Sequence, residues 1–491
     1  MTLPEFDVWY RERFRRTSSA LTATAFVFSD MFAIMLSVGW GFFWVRIYYM
    51  LFFDYSGINA KSFVTYWPYV PVFVIIFQIL NLYPGLSLAP AEELRRFSTG
   101  SFMAHGGIIM SRYIEKHEWD SITAALIISF IFSTVILLTA RSITHWLLHV
   151  TRLRGVPAVI YGSGSTGKMV VDSLLRNIRT GYVPVLILDN ENGGGGAPVG
   201  ADDYREVPII HDTSIGPEIV KRYNIKMAMV AMPDLDNKSL KHIMNTSVSA
   251  FRYSAYIPDF VNATNIWMSV RDFGGILGLA TSNKLKMAWN LWIKRFMDLV
   301  IVIFGGILIS PFLLIIALLI KISSPGSVLY GHKRLGMNGK HFTAYKFRSM
   351  VMDAQERLQK LLESDPEIKK EWEKNHKLQN DPRVTAIGRF LRRTSFDEFP
   401  QLINILKGEM SLVGPRPIVD EEVSRYGEDF NRIFSVKPGM TGMWQVSGRS
   451  QTDYADRILY DTYYLQSWSV WLDMWILFMT FGTVIRGRGA Y

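Results

Sequence analysis

The stretch RRTSFDEFPQL, residues 392 to 402, sets two acids side by side, Asp397 and Glu398, behind two arginines and ahead of a proline. Adjacent carboxylates among cations suit phosphoryl transfer: a carboxylate oxygen can form a covalent intermediate, and the cations stabilise the charge that develops. A structural reading competes with this one. Ser395 followed three positions later by Glu398 fits a capping box, and acids in a first turn suit the helix dipole. Pro400 opposes it. In that register the proline is the fifth helical residue, where an N–H is already required, whereas proline is at home at the first position. A helix that starts at Pro400 leaves both acids just ahead of a positive helix end, free to approach an anion or a metal.

Cations recur in the same region: Lys346 and Arg348 in YKFRSM, Arg383 in NDPRV, Arg389, Arg392 and Arg393 ahead of the acids, and Arg416 in GPRP. Each alone is an ordinary solvated surface charge. Together with the acid pair they point to a phosphorylated substrate, and Mg²⁺ held by Asp397, Glu398 and substrate phosphates would complete such a site. No His/Cys set with zinc spacing, no GxSxG and no Walker pattern is visible, which disfavours a zinc enzyme, a hydrolase triad and a P-loop NTPase.

These residues need a scaffold, and composition says what kind. The chain has 491 residues, 49% of them hydrophobic, with 14 tryptophans, which is the texture of a membrane protein. A formal charge of +10 fits anionic headgroups or phosphorylated substrates, and the absence of cysteine removes disulfide and thiolate chemistry. Apolar runs lie at Leu21 to Phe53, Phe63 to Tyr83 and Ser121 to Ala140, with FSTGSFMAHGGIIM as a weaker fourth. Four spans place Arg11 to Arg16, Arg95, Arg96, Arg141, Arg152 and Arg154 on one side, as the excess of cytoplasmic basic residues requires. Residues 1–150 are therefore expected to form a four-helix transmembrane bundle with both ends in the cytoplasm. Asp30, inside the first run, is expected to face a neighbouring helix or to precede the span.

Residues 151–283 alternate short β-branched runs with amphipathic stretches, the pattern of a Rossmann-like α/β domain. In VPAVIYGSGSTGKMVVDSLL, Gly162, Gly164 and Gly167 form GxGxxG, and Asp189 ends the next strand about where a ribose-binding acid belongs. Nucleotide binding and a merely tight turn are equally compatible with it. Next comes KRFMDLVIVIFGGILISPFLLIIALLIKIS, apolar enough to cross a bilayer but broken by Pro311 and flanked by cations at both ends. Basic flanks on both sides favour a re-entrant helix over 295–321, with Ser310 placed to satisfy the carbonyl that the proline leaves free. The remainder, within a mixed α/β domain over 290–491, is dense in turn signals. It closes on a helix over 468–485 whose Trp468, Trp471 and Trp475 would share one face at the membrane interface.

In order, KRFMDLVIVIFGGILISPFLL, YKFRSM, GRFLRRTSFDEFPQLINILKGEMSLVGPRP and KPGMTGMWQVSGR resemble the bacterial sugar transferase family. These are polyprenol-phosphate phosphoglycosyl transferases with a re-entrant helix, and the resemblance covers about residues 290 to 491. It implies a UDP-hexose donor (galactose or glucose), undecaprenyl phosphate as acceptor, release of UMP, contact with membrane lipid and a homodimer. It also implies the bacterial inner membrane, with catalysis on the cytoplasmic side. Carried over by position, Asp397 is the nucleophile and Glu398 assists with metal and orientation. Arg348, Arg392 and Arg416 are family cations, the last associated with the donor nucleotide, and Ser310 with Pro311 is the helix break. Phe396 and Phe399 stand where many members have leucine. The smallest members lack everything before about residue 290, so the GxGxxG domain is implied to regulate or dimerise rather than to catalyse. Three other functions compete. A nicotinamide-dependent epimerase or dehydratase would need a Tyr-x-x-x-Lys pair that the GxGxxG domain lacks, and a nucleotide-sugar-binding scaffold would leave the acid pair idle. A nucleic-acid partner is not expected, because no binding fold is recognisable.

Overall fold

The computed structural model describes residues 2–14, 19–52, 66–83, 85, 88–117, 120–151, 155–177, 180–190, 203–257, 269–272, 277–280, 284–364, 381–447 and 454–486. The glycine-rich loop 191–200 and the expected domain boundary at 283 lie outside them. The chain divides into two compact units, Met1–Ala263 and Thr264–Tyr491.

The first unit opens with helices α1 (Leu3–Phe14), α2 (Ser19–Phe52), α3 (Val70–Ile79), α4 (Pro90–Lys116) and α5 (Ser121–Val150). Helices α2 to α5 share one core, built from Phe26, Ile34 and Phe42, then Phe73 and Phe77, Phe97 and Ala104, and Leu126 and Leu137. Gly41 lets α2 and α5 approach closely, since a Cβ there would lie 2.3 Å from the Ala125 carbonyl oxygen. Of these four helices α2 and α5 are long and apolar enough to cross a membrane. Helix α3 has only ten residues, and α4 carries Glu92, Glu93, Arg95 and Arg96 in its first turns. Asp30 does face a neighbouring helix: Arg141 of α5 pairs with it at 2.8 Å and the Tyr83 hydroxyl donates to it at 2.8 Å. A charge this deeply buried needs such a partner.

One expectation is corrected here. Helix α1 is not part of the bundle; Phe6 and Tyr10, four residues apart on one face, are buried with Val159 and Leu186 of the sheet and Ile219 of a helix of the α/β domain. Both rings meet Tyr223, at 5.1 and 5.0 Å, and Asp7 pairs with Arg222 at 3.3 Å. A short helix with one apolar face is stable only where that face is covered.

The sheet comprises β1 (Val156–Tyr161), β2 (Tyr182–Leu188), β3 (Asp203–Tyr204), β4 (Val207–Ile210), β5 (Met227–Val230) and β6 (Tyr253–Tyr256), with helices α6 (Ser165–Arg176), α7 (Gly216–Tyr223) and α8 (Asn237–Thr246) between them. Its order is β3-β4-β2-β1-β5-β6, all parallel except the β3 edge. The strand order reverses beside β1, between β2 and β5, as in doubly wound nucleotide-binding folds. The unit ends at Ala263. The antiparallel hairpin of β7 (Ser269–Asp272) and β8 (Leu277–Ala280) falls within the expected range 151–283 of this domain but belongs to the second unit.

That second unit is built on α9 (Ala288–Ser323), which is 36 residues long and helical through Pro311. It begins before residue 295 and ends after 321. The proline has no N–H for the Ile307 carbonyl; the Ser310 hydroxyl donates to that oxygen instead, at 2.8 Å. After it come the antiparallel pair β9 (Leu329–Leu335) and β10 (His341–Phe347), then α10 (Ala354–Ser364), α11 (Ala386–Thr394) and α12 (Gln401–Lys407). The parallel pair β11 (Ser411–Val413) and β12 (Gly439–Thr441) and helices α13 (Tyr454–Ser467) and α14 (Val470–Arg486) complete it.

Both ends of α9 rest on this unit. Near the start, Lys294 pairs with Asp473 at 2.7 Å, and Asp298 accepts from Ser411 Oγ at 2.7 Å and from the Leu412 N–H at 3.2 Å. Near the finish, Ile316 and Ile320 are buried with Phe347 and Leu391. Between them Phe304, Ile307 and Leu308 are 71%, 68% and 81% exposed. The tryptophan stripe at the C-terminus is also corrected. Trp468 precedes α14, is buried, and donates its indole N–H to Asp473 at 3.1 Å, so it contributes to the core rather than to an exposed helical face.

Candidate active site

Helix α11 is capped by Thr385, whose hydroxyl accepts the Gly388 N–H at 2.9 Å. Gly388 itself is needed for packing, because a Cβ there would lie 1.9 Å from the Ser349 carbonyl oxygen. The helix stops at Thr394, and Ser395 takes the left-handed conformation at φ 58° with no side-chain cap bond. The capping-box reading is therefore not realised. Phe396–Glu398 form a single 3-10 turn, and Pro400 is the N-cap of α12. Asp397 and Glu398 thus stand immediately before that helix.

Strand β10 supplies Lys346, whose Nζ is 2.6 Å from Glu398 Oε1 and 3.9 Å from Asp397 Oδ2. Arg392, held by a 3.0 Å bond to Ser349 Oγ, is the second cation acting on Asp397. Burial pushes the Asp397 carboxyl up to about 6; Lys346 and Arg392 pull it down and the adjacent Glu398 pushes it further up. At neutral pH it is mainly ionised, the state a nucleophile needs. Phe396 seats the turn on the membrane helix, its ring 5.1 Å from that of Phe312, the residue after Pro311.

A second group of charges lies around Arg416. Its guanidinium stands 5.7 Å from the Trp444 ring, and Arg457 stands 4.9 Å from the same ring. Glu422 faces Arg457 at 3.6 Å and Arg334 at 4.0 Å. Burial and the neighbouring Arg416 lower the pKa of Arg334, while Glu422 and Glu398 oppose them, so Arg334 lies in reach of both charge groups. Arg334, Glu422, Trp444 and Arg457 escaped the sequence reading. For Arg334 the signal was strand alternation: Tyr330 pairs with Lys346 and Arg334 with Phe342, which puts Arg334 and Lys346 on one face of the β9–β10 pair.

Arg348 is not with the acids. It is buried, and donates to the Ser324 and Pro325 carbonyls at 2.6 and 2.8 Å, tying down the end of α9. Arg383 forms a two-pronged pair with Asp381, at 2.6 and 2.8 Å.

At the GxGxxG turn, Gly162 has φ +108°, and a Cβ on it would fall 2.5 Å from the Ala231 carbonyl oxygen. Gly167 packs against the same turn, 2.0 Å from the Gly162 oxygen by the same measure, and Gly164 is the N-cap of α6. Asp189 does not point outward for a ribose. Its Oδ2 accepts from the backbone N–H of Ser163, at 2.8 Å, and from the Ser163 hydroxyl, and its Oδ1 accepts the Asn190 N–H at 2.8 Å. Asp189, Ser163 and Asn190 form a closed latch.

Among the described residues no three of His, Asp and Glu cluster as a metal cage. The adjacent carboxylates of Asp397 and Glu398 nevertheless fit a hard divalent cation of the kind that takes one or two carboxylates and completes its shell with substrate phosphates.

A helix long and apolar enough to cross a membrane, a cation-flanked acid pair whose turn packs on it, and a doubly wound domain earlier in the sequence are present in this chain, and it belongs to the bacterial sugar transferase family. The model of that family matches residues 289–487, and a CoA-binding domain model matches residues 78–248. The chain is 36% identical over 377 residues to the undecaprenyl-phosphate galactose phosphotransferase of Salmonella typhimurium, covering 76% of this chain and 77% of that one. It is 33% identical over 341 residues to the UDP-glucose:undecaprenyl-phosphate glucose-1-phosphate transferase of Escherichia coli K12, 68% of each. The exopolysaccharide production protein ExoY of Rhizobium meliloti is 45% identical over 198 residues, which is 40% of this chain but 88% of that shorter protein.

Proposed function

We propose that this protein transfers a hexose 1-phosphate from UDP-galactose or UDP-glucose to undecaprenyl phosphate, an early membrane step of surface polysaccharide assembly. The observation that carries this is the position of Asp397: on a turn flanked by Lys346 and Arg392 and seated, through Phe396, against Phe312 of the apolar helix. In the first step an Asp397 carboxylate oxygen attacks the phosphorus that bears the sugar. The bond to the bridging oxygen breaks and UMP leaves with the electron pair. In the second, a phosphate oxygen of undecaprenyl phosphate attacks the same phosphorus, freeing Asp397 and forming the undecaprenyl diphosphate sugar. Two steps at one carboxylate mean that donor and lipid need not occupy the site together.

Lys346 lies where it can neutralise the transferring phosphoryl group, and Arg392 the carboxylate that attacks it. Arg416 and Trp444 offer the donor's uridine end a cation beside an aromatic face. Mg²⁺, held by Asp397 and Glu398, would supply charge neutralisation to the diphosphate when bound. Helix α9 is re-entrant in this reading. At about 1.5 Å per residue its 36 residues would more than span a bilayer, yet both ends pack on the same unit. The site then lies at headgroup height on the cytoplasmic face of the inner membrane, in a homodimer as the family resemblance implies.

The test is UMP release by protein in nanodiscs with Mg²⁺, undecaprenyl phosphate and, separately, UDP-galactose, UDP-glucose and an N-acetylated donor. Release with one hexose is expected; binding of a donor without any release would favour a scaffold. The chain has no cysteine. A single cysteine placed just after Lys321 should be labelled from the cytoplasmic side, and labelling from outside would refute re-entry.

A further inference from the structure

The C-terminal end of α12, about 10 Å of helix away from the acid pair, carries a second group of cations. Arg295 of α9 donates to the Ile405 and Leu406 carbonyls at 2.5 and 2.9 Å, and Lys407 donates to the Tyr345 hydroxyl at 3.1 Å. Cations suit a helix C-terminus, and these bonds use two of the five N–H donors of the Arg295 guanidinium. Lys437 has no such bond among the described residues. Its Nζ and the Arg295 guanidinium both come within 4 Å of one point beside Gly408, at 3.5 and 3.7 Å. Among the described residues none accepts a hydrogen bond or forms an ion pair with it. The acid that acts on it, Asp298, already accepts from Ser411 and Leu412. Partial burial and the repulsion of Arg295 together lower its pKa. A half-buried ammonium crowded by another cation and lacking an acceptor is a position prepared for an anion.

What surrounds it indicates which anion. On α9 around Arg295, Trp289, Trp292 and Phe296 stack in a ladder with centroids 5.6 Å apart at each step. Trp292 and Phe296 are 60% and 57% exposed, and Ile403 and Leu406 of α12 are 41% and 47% exposed. Aromatic and aliphatic side chains turned outward beside a row of cations are the arrangement of a surface seated at the lipid interface, where the charges meet headgroup phosphates.

We infer that Arg295 and Lys437, with Lys407 at the rim, hold the phosphate of an anionic phospholipid headgroup, at a site separate from the acid pair and serving to seat the unit on the membrane. The site does not depend on the reaction proposed above. It is tested on the full-length protein in detergent, titrated with phosphatidylglycerol or with phosphatidylcholine and read by native mass spectrometry. Wild type should retain phosphatidylglycerol in preference to phosphatidylcholine. Lys437→Gln should weaken that retention about fivefold. Lys340→Gln, which removes an exposed lysine from the β9–β10 turn, should not weaken it. UMP release by Lys437→Gln in neutral lipid should match wild type. Equal retention of the two lipids, or unchanged retention by Lys437→Gln, would overturn the inference. So would displacement of phosphatidylglycerol by millimolar inorganic phosphate, which would mark a soluble phosphate as the ligand. If Lys437→Gln does not fold, the lipid preference and the phosphate competition decide on wild type alone.

Discussion

Asp189 and Asp397 both present themselves as functional acids, one after a glycine-rich turn and one in an acid pair, yet the structure treats them oppositely. Asp189 accepts three hydrogen bonds, two from Ser163 and one from the Asn190 N–H, so both of its oxygens already hold the protein's own donors. Asp397 has its nearest cation at 3.9 Å, and no side chain among the described residues donates a hydrogen bond to it. The difference teaches that an acid's role follows from what its oxygens already hold. A carboxylate whose oxygens hold the protein's own donors maintains a fold, and one left available for a substrate can do chemistry.

The contrast breaks most readily at Asp397. Asp397→Asn should lower UMP release on the order of a thousandfold or more, with helical content and melting unchanged. Wild-type-like turnover would remove the distinction altogether. Lys346→Met should come next, at about a hundredfold in kcat, since it removes a cation placed for developing charge. Asp189→Ala should leave turnover within about twofold while hydrogen exchange rises across residues 162–170, because the two Ser163 donors lose their acceptor at a local cost of about 1–3 kcal/mol. Lost activity with unchanged exchange would mean that Asp189 serves a ligand after all. Arg348→Met should likewise reduce stability and leave the donor KM of the residual activity unchanged, since its guanidinium holds the Ser324 and Pro325 carbonyls.

The smallest effect concerns Asp461 of α13. Burial pushes its carboxyl up to about 7 while Arg457 and Tyr426 pull it down. The folded state therefore keeps this proton over a range in which the unfolded chain, with a pKa near 4, has lost it. This acid's contribution is most favourable below about pH 4 and declines as pH rises towards 7. Asp461→Asn should flatten that part of the stability profile, as followed by the melting of the full-length protein in detergent between pH 5 and 7.

Much of the scaffold was legible because it rests on local pattern. The strand–turn–helix run after Gly155 announces a parallel sheet, and Pro311 with Ser310 announces both the interrupted ladder and its repair. Pro400 weighed against one α-helix running through the acids, and α12 begins after it while the acids sit in a separate 3-10 turn. What was missed depends on where side chains go after the chain folds back. Arg348 looks like a site cation two residues from Lys346, but it lies just past the end of β10 and turns to α9 instead. Helix α1 seemed a basic lead-in to the first span, and only the sheet shows what Phe6 and Tyr10 were for. Trp468 fitted a helical stripe until the helix was seen to begin after it. Arg334, Trp444 and Arg457 come from three separate elements, and no spacing in the chain records their meeting.

The central claim is that Asp397 carries the sugar phosphate between donor and lipid. Intact-protein mass spectrometry after brief exposure to the UDP-hexose that supports turnover, with undecaprenyl phosphate left out, tests it most directly. The account predicts a mass gain of one hexose phosphate on the wild-type chain, located to the peptide containing Asp397, absent from Asp397→Asn and discharged on adding undecaprenyl phosphate. Turnover with both substrates but no adduct at that peptide, or the same adduct on Asp397→Asn, would contradict it.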